Sequence, residues 1–78
     1  MQPETSRHDP LASRLRALRE DRLRLFPTLF TQDAVAHRIG VSTRQLQRWE
    51  AGDHSPHRRH AAALARELGV TVEDLTRT

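Results

Sequence analysis

Thr31 to Gly52 reads T-Q-D-A-V-A-H-R-I-G-V-S-T-R-Q-L-Q-R-W-E-A-G, and its pattern describes two short helices hinged at Gly40. Val35, Ala36 and Ile39 recur at helical spacing, so they form an inward stripe while Asp33, His37 and Arg38 face water. Thr31 stands at the N-cap position of this helix. Gly40 is the residue type that closes a helix in the left-handed conformation. Val41 follows as an apolar plug, and Ser42 with Gln45 three residues on forms an S-x-x-Q capping box that opens the second helix. That helix turns Leu46 and Trp49 inward. Thr43, Arg44, Gln47 and Arg48 are left on one outward face, all of them hydrogen-bonding and none apolar. A short helix with such a face, held by its predecessor through a glycine turn, suits insertion into a DNA major groove.

Working outward toward the N-terminus, residues 1–8 are polar, lack a period and contain Pro3, which predicts a mobile arm. Asp9 followed by Pro10 is a helix start, with Asp as N-cap and Pro at the first helical position, where its missing N–H costs nothing. Leu11, Leu15, Leu18 and Leu25 then mark one apolar face of a first helix that otherwise alternates arginine and acid. Toward the C-terminus, Ala61, Leu64, Ala65 and Leu68 predict a helix from about Pro56 to Leu68, ended by Gly69. Val70 plugs the next turn, Thr71 caps, and Val72 and Leu75 begin a fifth helix. The sequence therefore divides into an arm over 1–8 and one all-α domain over 9–78.

Size and composition agree with a small helical bundle. Seventy-eight residues make one domain with a small core, and 36% apolar content suits a compact bundle better than a disordered tail. The chain has no cysteine, which excludes a disulfide framework or a thiolate zinc site. No apolar run approaches a membrane span, and the first thirty residues lack a signal-peptide core, so a cytoplasmic location is expected. All thirteen basic residues are arginine. Between residues 37 and 60, Arg38, Arg44, Arg48, Arg58 and Arg59 face only Glu50 and Asp53, a local surplus equal to the formal net charge of +3. A surface that tracks phosphates requires such a concentration.

The stretches T-Q-x-x-V-A-x-x-I-G-V-S over 31–42, L-Q-R-W-E-A-G over 46–52, Pro56, and A-x-x-L-G-V-T-V-E-D-L over 65–75 resemble one known family. It is the helix-turn-helix DNA-binding domains of the phage-repressor and Cro type, also called the xenobiotic response element family. The resemblance is ungapped from residue 31 onward and covers roughly three quarters of the chain. It implies an all-α, five-helix lambda-repressor-like bundle that binds double-stranded DNA as a transcriptional repressor or regulator. One short helix covers only a few base pairs, so a homodimer is expected, associated with the nucleoid. The resemblance also implies that Gln32 contacts the DNA backbone and that Glu50 pairs with Arg19 on the first helix.

Each outward residue of the recognition helix then has a physical task. Arg44 and Arg48 carry the planar fork that matches guanine O6 and N7, and Gln47 matches adenine N6 and N7. Thr43 offers a contact to a thymine methyl or a phosphate. Gln32, Arg38, Ser42, Arg58 and Arg59 form the expected phosphate-contacting set, with the first turn of the Gln32 helix supplying backbone N–H groups. A solvated helix face would account for the same residues, but such a face more commonly includes Glu or Lys, and this one has neither.

The chain departs from the family in two places. Arg19 and Gln32 stand thirteen positions apart, nearly two helical turns more than the family's usual step, so the first helix is expected to run to about Leu25 before Pro27 stops it. Phe26, Leu29 and Phe30 in the connection are expected to cap the domain's own core; alternatively, part of Leu23, Phe26 and Leu29 stays exposed and contacts a second subunit or another protein. Residues 23–30 thus support the alternative function, an antitoxin-like or adaptor interaction module. The second departure is Arg58, which replaces the apolar residue common in relatives and either snorkels or marks a more exposed helix start.

Catalysis and metal binding find little support. No Ser-His-acid or Cys-His set and no glycine-rich phosphate loop is present, and the carboxylates are dispersed, so an enzyme is not expected. His54, His57 and His60 recur at every third residue, but His54 precedes Pro56 in a loop and no acid or cysteine completes a ligand set. Solvated or phosphate-facing histidines are expected, with no metal and no cofactor. Trp49 is expected in the core rather than as a stacking platform.

Overall fold

The computed structural model describes residues 10–76. The arm at 1–8 and the Asp9 cap lie outside the described residues. Five helices follow in order, α1 Pro10–Leu25, α2 Gln32–Ile39, α3 Thr43–Ala51, α4 Arg58–Leu68 and α5 Val72–Thr76, with no strand among the described residues. α1 packs against α3, α4 and α5, α2 against α3 and α4, and α4 against α5. The core gathers Leu15, Val35, Ala36, Leu46, Trp49, Leu64, Ala65, Leu68 and Leu75, and Leu11, Leu18, Phe30, Ile39, Val41, Val70 and Val72 pack around it.

The short helices are fixed mainly at their ends, where unpaired backbone groups are concentrated. Thr31, Ser42 and Thr71 each accept a backbone N–H three residues on through the side-chain hydroxyl. At the other end of α2, Gly40 takes φ 81°, its N–H reaching the His37 carbonyl and the Val41 N–H the Ala36 carbonyl. This double bond of N–H groups back into the last turn is a Schellman motif, and it needs a residue that tolerates positive φ. The same pattern closes α3 and α4. Stop and start are therefore specified within three residues at Gly40–Val41–Ser42, so the angle between α2 and α3 is set locally.

α1 differs from expectation at its far end. Leu25, counted on its apolar face, is 73% exposed. The last buried residue of α1 is Arg19, so the final turn projects past the core and its leucine has nothing to pack against. The connection that follows is a tight turn in which the Leu29 and Phe30 N–H groups both donate to the Phe26 carbonyl. Of the three residues expected to cap the core, only Phe30 does so; Phe26 and Leu29 are 48% and 52% exposed. α4 also begins later than expected, at Arg58 rather than Pro56. His57 keeps an extended backbone with ψ 162° and serves as the N-cap, so the helix cannot start before it.

Candidate nucleic-acid interface

α3 is held from three sides before any outward residue is considered. Leu46 and Trp49 are buried in the core, Ser42 caps the first turn, and Glu50 is buried beneath the last. Arg19 Nε donates to Glu50 Oε2 at 2.5 Å and Arg19 Nη2 to Glu50 Oε1 at 3.0 Å. The third arm of the guanidinium, Nη1, reaches the Phe30 carbonyl at 3.2 Å. One buried arginine thus ties α1, α3 and the α1–α2 connection together, and the rigid fork of arginine suits it to such a bidentate role.

The expected reading face divides into free and committed groups. Arg44 is exposed with no hydrogen-bond or ion-pair partner among the described residues. Arg48 is exposed and lies 3.4 Å from His54. Gln47 is exposed but donates through Nε2 to Gln32 Oε1 at 3.2 Å, and Gln32 Nε2 in turn donates to Glu50 Oε1 at 3.0 Å. Thr43 is half-buried, its hydroxyl donating to Asp33 Oδ1 at 2.6 Å, which leaves its methyl group and the acceptor side of the hydroxyl for further contact.

The expected phosphate set is also uneven. Gln32 sits at the first position of α2 beside the Thr31 cap, and Ser42 uses its hydroxyl on the Gln45 N–H. Arg58 and Arg59 are exposed on the opening turn of α4, so Arg58 marks an exposed helix start and does not snorkel onto the core. Arg38 is engaged within the fold: its Nε donates to Glu67 Oε1 at 2.6 Å, and its guanidinium lies 5.1 Å from the Phe30 ring centre. It clamps α2 to α4 and has a compensated charge.

The histidines are not alike. His54 and His57 are exposed, whereas His60 is half-buried, its ring 5.2 Å from that of Trp49. The expectation of a solvated or phosphate-facing side chain therefore fails at His60, because the first inward turn of α4 brings it onto the indole. Among the described residues no group of three or more His, Cys, Asp or Glu side chains is placed to hold a metal ion. Asp33 and Glu67, the partners of Thr43 and Arg38, were missed in the sequence. Each sits on a polar helix face that periodicity assigns to water, and only the three-dimensional packing pairs it.

A family model described as helix-turn-helix matches residues 15–75. The chain belongs to the helix-turn-helix family. Within it the chain is of the Cro and C1 type, and the match spans α2 and α3 and the Gly40 turn that joins them. No curated protein and no solved structure matches the chain significantly. This helix-turn-helix protein is a DNA-binding domain of the kind used in transcription regulation. No helix among its described residues is long and apolar enough to cross a membrane.

Proposed function

We propose that this domain binds duplex DNA sequence-specifically as a transcriptional repressor or regulator, reading the major groove with α3. The observation that carries this proposal is the contrast across α3: Leu46, Trp49 and Glu50 are buried while Arg44, Gln47 and Arg48 are exposed. A helix so anchored presents its polar side chains as a fixed template, which base reading requires. Thr43 supplements them through its methyl group. Gln32, Ser42, Arg58 and Arg59 supply phosphate contacts, and Arg38 joins them only when it leaves Glu67.

One short helix covers few base pairs, so the domain acts as a homodimer on paired half-sites in the cytoplasm, at the nucleoid. Leu25, Phe26 and Leu29 are the large apolar side chains left exposed among the described residues, and they support a protein contact in addition. An interaction module using this patch alone, without base reading, is the competing function. Selection of bound duplexes from a random pool separates the two. A recovered motif with two symmetric half-sites supports the proposal, and a pool that stays random overturns it.

A further inference from the structure

The polar chain that begins at Glu50 does more than brace α3. An ionised carboxylate only accepts hydrogen bonds, and Glu50 Oε1 already takes one from Arg19 Nη2. Gln32 can meet that oxygen only with its NH2 group, and it does so at 3.0 Å. The carbonyl end of the Gln32 amide is thereby turned away from Glu50, toward Gln47, which meets it with its own NH2 group at 3.2 Å. A flipped Gln47 amide would set two carbonyl oxygens against each other. Arg19 cannot reverse the chain, because a guanidinium has donors only and both Glu50 oxygens accept from it.

We propose that Glu50 and Gln32 are positioning residues for base reading: the buried carboxylate orients the Gln32 amide, which fixes the order of donor and acceptor that Gln47 presents. The proposal rests on the assignment of α3 as the reading helix. A free glutamine can turn its amide over and accept either order on a base edge, whereas an oriented one accepts a single order, and base edges in the major groove differ in that order. Gln47 keeps its Oε1 and its second N–H for the base. Discrimination at its base pair therefore depends on a carboxylate that never reaches the DNA.

The test is duplex selection and competition binding with Gln47→Ala and Gln32→Met, the second keeping length and shape while removing both amide bonds. Gln32→Met leaves the Arg19–Glu50 pair intact, and a thermal melt checks that the fold is retained. Gln47→Ala identifies the base pair that Gln47 reads. Gln32→Met should then lower discrimination at that same base pair about fivefold or more, while preferences set by Arg44 persist. A phosphate role for Gln32 alone would instead weaken all duplexes equally. If Gln47→Ala alters one base position and Gln32→Met leaves it unchanged, the relay is wrong while base reading stands. If Gln47→Ala alters no position, base reading by Gln47 and the relay both fall. In the free protein, nitrogen relaxation of the Gln47 side-chain amide should show it ordered in the wild type and mobile in Gln32→Met; equal mobility in both would overturn the relay without DNA.

Discussion

Arg19 and Glu50 face each other from α1 and α3 as a two-bond fork, each only 6% exposed. The carboxylate also holds Gln32, and the guanidinium also holds the Phe30 carbonyl, so the pair lies at the junction of α1, α2 and α3. Burial makes each charge costly without the other, and the loss of one partner leaves an uncompensated ion.

Arg19→Met and Glu50→Gln should therefore each destabilise the fold by about 2 kcal/mol or more, well beyond an exposed charge, with the double variant less than additive. Denaturant unfolding of the four proteins in the cycle measures this. Additive losses would show that the two residues do not act as a unit.

Arg58 and Arg59 stand exposed at the start of α4, while Arg38 is paired with Glu67. If the first two neutralise phosphates, Arg58→Ala and Arg59→Ala should each reduce the slope of log affinity against log salt by about one unit, uniformly across duplexes. Arg38→Ala should change that slope less and instead lower stability by up to about 1 kcal/mol, the range of a partly exposed pair. A full unit of slope lost with Arg38→Ala would show that Glu67 releases it to the DNA.

Much of this molecule is legible in the sequence because its helix ends are chemically explicit. Gly40, Ser42, Gly52 and Gly69 mark boundaries through backbone geometry and local hydrogen bonds, and those act within a few residues. The inward stripes of α2, α3 and α4 follow from periodicity for the same reason. What escaped is non-local. The pairing of Thr43 with Asp33 and of Arg38 with Glu67, and the tilted contact of His60 with the Trp49 ring, depend on how finished helices meet. Leu25 fits the periodic face of α1 yet lies in water, because period reports direction around a helix and not whether a neighbour stands there.

The exposed segment can be separated from the core by stability alone. Leu25→Ser and Leu29→Ser should change unfolding free energy by no more than about 0.5 kcal/mol, as surface substitutions do. Phe30→Ala should cost several times that, since Phe30 packs on the core, meets the Phe26 ring at a tilt and lies under Arg38. If Leu25 and Leu29 also form a subunit contact, the same two serine variants should shift sedimentation toward the monomer without unfolding it. Unaltered sedimentation would place any dimer contact elsewhere.

The deciding test concerns Arg44, because it is exposed on the opening turn of α3 with no partner among the described residues. An arginine so placed keeps its whole fork for a base edge, whereas Arg48 shares its position with His54 and Gln47 is tied to Gln32. If Arg44 forks onto guanine, Arg44→Ala should cost roughly 1–3 kcal/mol on the selected duplex and remove the preference at one base pair while the others keep theirs. In a dimer that loss must recur symmetrically in half-sites about 10 base pairs apart. A contact with phosphate would instead weaken every duplex alike and lower the salt slope, and a merely solvated side chain would leave affinity nearly unchanged. The three outcomes differ in kind as well as size, so a single selection with Arg44→Ala, read beside its salt dependence, decides between them. Recovery of the wild-type motif with the wild-type slope would remove Arg44 from the interface and leave base reading to be sought in Gln47 and Arg48.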